Sequence, residues 1–303
     1  MSAHDYTFDP QNCLDQSRFC TMTTRGDLSG ISVNHPDFSS FILFQGAQLL
    51  EFKSGSSDWI WLSEEAEYET GTSVRGGIPV CWPWFGNADK NPESVQKHIL
   101  SAQPPAHGFA RTQNWQLSVL NETDNQIVIT LQLATPENDH WNSPAEATLT
   151  FTLSKQALTL ELTTTATERS FTFSQALHTY FPTTDIHQTR ISGINGYSYI
   201  DAMDNWQTKQ QSGDIVFTEE TDRIYQVPSS ADLITPTHRF TLTSNSQSAV
   251  VWNPWVDKAE RLSQFANDAW QRMFCVETAN VMEDVVSLEA GQTHTLKLTL
   301  TRS

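Results

Sequence analysis

The chain has 303 residues, 38% of them hydrophobic and 11% aromatic, enough to build a sizeable apolar core. Its formal charge of -17 argues against nucleic-acid and anionic-membrane partners, which call for basic patches. An anionic small molecule would need a local cationic pocket to overcome that surface field. The first stretch, Met1–Pro10, is polar and acidic, and no apolar run approaches the roughly 18 residues of a spanning helix. Cys13, Cys20, Cys81 and Cys275 lack the paired spacing of a zinc ribbon or a disulfide framework, so reduced thiols in the cytoplasm are expected.

The first block that carries chemistry is Arg75-Gly-Gly-Ile-Pro-Val-Cys-Trp-Pro-Trp-Phe-Gly86. Two adjacent glycines and two prolines forbid a regular helix, so an irregular loop must hold Trp82, Trp84 and Phe85 at defined angles. After an irregular insertion at Ala88–Pro105 comes His107-Gly-Phe-Ala-Arg111. A guanidinium, aromatic rings and an imidazole on rigid loops suit an oxygen-rich ligand such as a sugar. Taken singly, Arg75 and Arg111 fit surface ion pairs equally well, and most of the ten tryptophans are expected to pack core and rim.

Period-two alternation then dominates. Leu117 and Val119, a polar turn, and Ile127, Ile129, Leu131 and Leu133 read as one hairpin. A second irregular insertion, Glu137–Glu146, separates it from the next. There Leu149, Phe151 and Leu153 alternate with threonines, and after Ser154-Lys155-Gln156 the pattern resumes at Leu158, Leu160 and Leu162. Phe171 and Phe173, Phe240 and Leu242, and Leu296, Leu298 and Leu300 extend the count. The spacing predicts an all-β fold, a large antiparallel β-sandwich with few short helices. Only Lys258–Met273 has helical apolar spacing. No linker composition interrupts the chain, so residues 1–303 are expected to form one domain.

Three polar residues interrupt strand-like apolar sequence: His178 in Ala176-Leu-His-Thr-Tyr-Phe181, Asp201 after Tyr197-Ser-Tyr-Ile200, and Glu277 in Met273-Phe-Cys-Val-Glu-Thr-Ala-Asn-Val281. A carboxylate in a buried strand costs several kcal/mol unless something compensates it, and a pocket that uses the charge is one compensation. Burial would also raise the Glu277 pKa toward the range of a general base. The alternatives are a solvent-facing edge strand for Glu277 and a hydrogen-bonded core imidazole for His178.

The two loop blocks, with Ala176–Phe181, Thr221-Asp-Arg-Ile-Tyr225, Val251-Trp-Asn-Pro254 and Cys275-Val-Glu-Thr-Ala279, occur in an order that resembles the glucose-6-phosphate 1-epimerases, hexose-6-phosphate mutarotases of the aldose 1-epimerase superfamily. The resemblance runs from about Gln45 to the C-terminus. It implies a galactose-mutarotase-like supersandwich, a hexose phosphate as small-molecule partner, and anomer interconversion without cofactor or metal. Position by position it implies His178 as general acid, Glu277 as general base, and Asp201, His107, Arg75 and Arg111 as substrate-binding residues. Relatives often carry a lysine directly after the aspartate, where this chain has Ala202. A mutarotase of free aldoses, a non-catalytic sugar-binding protein and a glycosidase stand as the alternatives.

Overall fold

The computed structural model describes residues 10–135, 138–227 and 230–302. The Met1–Pro10 stretch, apart from Pro10, and Glu137 of the second insertion lie outside them. The described residues form four antiparallel sheets, of five, nine, two and eight strands. The nine-stranded sheet forms where the alternation is cleanest. Its strands Ala145–Ser154, Ala157–Ala166 and Thr293–Arg302 align Leu153 with Leu158, and Leu160 with both Phe151 and Leu298. All of these side chains are fully buried. On the opposite face, threonine hydroxyls pair across strands: Thr130 with Thr150 at 2.9 Å, Thr159 with Thr299 at 3.1 Å and Thr163 with Thr295 at 2.8 Å. Apolar burial on one face and hydroxyl pairing on the other fix the register, because a one-residue slip would exchange them.

The eight-stranded sheet packs on that leucine layer. Its central strands are Thr221–Gln226, Ser248–Asn253 and Met273–Asn280, flanked by the short Gln175–Leu177, Tyr180–Pro182 and Val80–Cys81. Phe181 meets Phe240 of the nine-stranded sheet at 6.2 Å between ring centroids, within one continuous core. Its other face carries a separate, smaller apolar cluster of Cys81, Ala176, Ile224, Val250, Ala279 and Val281, with Phe85, Ile200 and Met282 packed on it. Every residue of Met273–Asn280 is buried, so Glu277 lies on a central covered strand and not on an exposed edge. The four cysteines are free thiols, three of them buried.

The expected helix over Lys258–Met273 is not there. A five-residue helix spans Trp255–Ala259, turns follow, and a single 3-10 turn covers Ala269–Gln271. Gln264 breaks the run with a left-handed backbone, φ 56°. Its side chain is committed to the neighbouring loop, where Oε1 accepts the backbone N–H groups of Glu67 and Arg75 at 3.1 and 3.2 Å. Of the apolar residues that mimic a helical stripe, Ala259, Phe265, Ala269 and Met273 are buried one by one, Phe265 against Trp61 for example, while Leu262 and Ala266 are only partly buried. Tertiary contacts override the local period here.

Candidate active site

The two loop blocks are locked together by backbone groups. Trp82 O accepts from Phe109 N (3.1 Å) and Ala110 N (3.2 Å), and His107 N donates to Gly86 O at 2.8 Å. The Trp82 indole N–H donates to Thr164 Oγ1 at 3.0 Å, which ties the loop to the nine-stranded sheet. Gly108 makes this approach possible. At φ 71°, a Cβ there would lie 2.0 Å from Trp82 O.

His107 itself adopts a left-handed backbone, φ 65°, which turns its ring toward His178, 5.7 Å away in an edge-on arrangement. Its Nδ1 accepts the Gly86 N–H at 3.3 Å and lies 3.3 Å from Cys81 Sγ. Burial pushes the Cys81 thiol pKa up, so Cys81 stays protonated and can donate. Two donors on Nδ1 assign the neutral tautomer with its proton on Nε2. Burial, then the charges of Arg111 and Arg75, lower the His107 pKa to about 3. His107 is therefore a fixed hydrogen-bond donor and not a cation.

At the centre, His178 Nε2 lies 3.3 Å from Glu277 Oε1. The imidazole stacks on Tyr180 (4.8 Å, 14° between planes) with Trp252 edge-on at 6.1 Å. Burial lowers the His178 pKa well below its ordinary value, reinforced by His107 and Arg75. Burial likewise raises that of Glu277, with Asp222 adding to the effect. Both shifts disfavour charge on either member of the pair. His178 Nδ1 and Glu277 Oε2 are buried without a hydrogen-bond partner among the described residues. Unsatisfied buried polar atoms are uncommon in folded proteins, and a hydroxylated ligand would satisfy these two.

A cavity of about 320 Å³ opens over the pair, walled by His107, Tyr180, Asp222, Trp252 and Phe85 among others. Three cations reach it: Arg75, Lys90 and Lys258. Arg75 Nη1 donates to Tyr180 Oη at 3.4 Å, and its Nε donates to Ser263 O at 3.4 Å. Lys258 lies 3.1 Å from Glu220 and 3.8 Å from Asp222. Lys90 sits over the ring of Trp206, 5.5 Å from its centroid.

Of the residues singled out in the sequence, His178, Glu277, His107 and Arg75 thus meet around one cavity. Arg111 and Asp201 do not line it. Arg111 donates to Ala106 O at 2.8 Å, and its charge helps lower the pKa of His107 and His178. Asp201 is held by Lys209 Nζ at 2.7 Å and accepts the Met203 N–H at 3.1 Å. It braces the turn whose Trp206 reaches the cavity mouth, Trp206 N donating to Asp201 O. The missing lysine at position 202 is matched by Lys209 on the neighbouring strand. Asp222, Tyr180 and Trp252 escaped the sequence reading of roles. The pairing of Asp222 with Trp252, and of Trp252 with Cys275, puts them on the Glu277 face of the sheet, a relation visible only once strand partners are known.

The architecture is that of the mutarotase-like β-sandwiches. A crystal structure from Salmonella typhimurium, provisionally titled a mutarotase, superposes with a TM-score of 0.83 at 27% identity over 95% of both chains. That of galactose 1-epimerase from Lactobacillus acidophilus shares the fold at a TM-score of 0.69 and 14% identity, over 94% of this chain and 98% of that one. In sequence, a Salmonella typhimurium protein provisionally named glucose-6-phosphate 1-epimerase is 33% identical over 83% of each chain. An Escherichia coli K12 protein of the same provisional name is 31% identical over 85% of each. The aldose 1-epimerase family profile matches residues 30–301, and the chain belongs to that family.

Proposed function

We propose that the protein interconverts the α and β anomers of hexose 6-phosphates, glucose 6-phosphate first among them, with His178 and Glu277 as the acid–base pair. The observation that carries this reading is the 3.3 Å approach of two buried ionisable groups, each with a further polar atom that has no partner among the described residues. Glu277 as carboxylate takes the proton of the C1 hydroxyl while His178 as imidazolium gives one to the ring oxygen. The bond between C1 and the ring oxygen breaks, and the aldehyde turns about C1–C2. Reclosure on the other face returns both protons. The reactive pair and the uncharged pair that burial favours differ only in where one proton sits, so no proton need come from solvent. His107 Nε2–H offers a fixed donor to a sugar oxygen.

Arg75 is assigned the phosphate, because it is the arginine at the cavity and a guanidinium binds phosphate bidentately. Arg75→Ala is expected to lower kcat/KM for glucose 6-phosphate by about 10–100-fold, the worth of a charge-assisted hydrogen bond, and to affect free glucose far less. Arg111→Ala should lower both alike. Anomeric exchange measured by NMR on the two sugars checks this, and equal losses in Arg75→Ala would remove the phosphate role. Wild-type exchange no faster than buffer would sink the enzymatic reading as a whole.

The pH profile follows from the same pair. A second proton disables the base, and it enters only below the ordinary histidine value, because the His178 pKa is lowered. The single proton is lost above the ordinary carboxylate value, because that of Glu277 is raised. We expect an alkaline limb of kcat/KM above the ordinary carboxylate value, where that proton is lost, and an acid limb that lies below pH ~6.5, the free imidazole value. An acid limb centred at that value would contradict the coupling.

A further inference from the structure

Of the three cations that reach the active-site cavity, Arg75 is the one left without a carboxylate. Lys258 is held by Glu220 at 3.1 Å and Asp222 at 3.8 Å, and Lys90 lies 3.8 Å from Asp89. Arg75 forms no ion pair among the described residues, although the chain has 35 acidic side chains. Its guanidinium donates to a backbone carbonyl and a phenol, both at the long distance of 3.4 Å. Its backbone is fixed, with Arg75 N donating to Gln264 Oε1 at 3.2 Å. A half-buried guanidinium held in this way keeps its fork of donors for an incoming anion.

The phenol that receives Arg75 is also the one on which His178 rests. Tyr180 Oη accepts from Arg75 Nη1, and the Tyr180 ring stacks on the imidazole at 4.8 Å with 14° between planes. Guanidinium and imidazole are thus one aromatic ring apart on the wall of a single cavity, where charge is poorly screened. The charge of Arg75 lowers the His178 pKa, whereas that of Glu277 is set by burial and Asp222. A proton that moves from Glu277 to His178, which arms the pair, therefore creates an imidazolium beside a bare guanidinium. The other ionisable neighbours are committed. His107 is uncharged in the neutral range, Cys81 and Cys275 stay protonated, and Asp222 is paired with Lys258. Of the two arginines that act on His178, Arg75 and Arg111, only Arg75 lines the cavity.

We propose that Arg75 and Tyr180 form a charge switch, in which a dianion seated on Arg75 drives His178 to its protonated, acidic form. The phosphate of a substrate then activates the acid as well as anchoring the sugar, and a free inorganic dianion in the same seat activates exchange of an unphosphorylated hexose. The seat rests on the phosphate assignment above, and the coupling to His178 is additional to it. Sulfate is the probe, because it stays a dianion from acid to neutral pH and is a poor base for sugar ring opening. Against chloride at equal ionic strength, saturating sulfate is expected to raise wild-type glucose exchange by about tenfold over the nonenzymatic rate, the low end of what one nearby charge does to a titrating group. The gain should appear in kcat, since the anion acts on the acid and not on the hexose. Sulfate should at the same time compete with glucose 6-phosphate, and Arg75→Ala should show neither effect. NMR of the His178 imidazole reads the switch without turnover. Sulfate should move its titration upward by about one pH unit in the wild type and leave it in place in Arg75→Ala. Sulfate that blocks glucose 6-phosphate yet neither accelerates glucose nor moves His178 would overturn the coupling, as would an acceleration that survives Arg75→Ala. Sulfate without effect on either sugar or on His178 would remove the seat and the switch with it. A His178 titration that responds to sulfate while no sugar exchanges would refute the reaction and leave the switch standing.

Discussion

Glu277→Gln is expected to lower kcat by about 10²–10⁴-fold, the usual contribution of a positioned general base, while leaving the folded structure intact. The amide has the shape of the acid and fits the same place on the Met273–Asn280 strand, but it cannot accept the C1 proton. Its effect on stability has the opposite sign to its effect on rate. With the pKa of Glu277 raised by burial, the wild type must either take up a proton on folding or bury a charge at neutral pH. Each unit of such a shift corresponds to about 1.4 kcal/mol, and glutamine carries none of it. The variant should therefore melt at or above the wild-type temperature, with KM little changed. Calorimetry together with NMR exchange distinguishes this from a folding defect, and a variant that both loses activity and melts lower would argue that the carboxylate is structural.

Gly108→Ala is expected to be the most damaging methyl group in the chain. The added Cβ would sit 2.0 Å from Trp82 O and 2.4 Å from Trp82 C, backbone atoms already committed to Phe109 and Ala110. Left-handed strain and overlap together should cost about 3 kcal/mol or more. Any folded fraction should also turn over slowly, since His107 is the adjacent residue. Gly86→Ala is the control. Its φ is 61° and no atom lies within 4 Å of the new Cβ, so it carries only the left-handed penalty, about 1–2 kcal/mol. Denaturant unfolding of the pair measures the difference, and equal losses would show that backbone conformation alone sets the cost.

The strands were legible because burial writes itself directly into the sequence. Leu149, Phe151 and Leu153 alternate with threonines over a length no helix tolerates, and their partners Leu158–Leu162 and Leu296–Leu300 do the same. Glu277 was legible for the converse reason, a lone carboxylate in an apolar strand. Asp201 looked alike, also following an apolar-aromatic run, yet Lys209, eight residues on, neutralises it across a strand pair. What distinguishes the two is which cation the fold delivers, and that depends on register. Asp222 carries no such signal in the sequence, since only the alignment of Asp222, Trp252 and Cys275 reveals which way it faces. The Lys258–Met273 stripe misled because Gln264 bonds to the loop of Arg75, a contact 189 residues away in sequence.

The lock on His107 divides labour within the cavity. With Nδ1 occupied by the Gly86 amide and the ring uncharged far into acid, that position always presents an N–H and recognises a lone pair. With its pKa lowered to about 3, its message is unaltered by titration through the neutral range. Under the proposed function, recognition of the sugar and the exchange of its anomeric proton would run on separate imidazoles, and the pocket would stay tuned to one pattern of oxygens while the neighbouring pair changes its protonation.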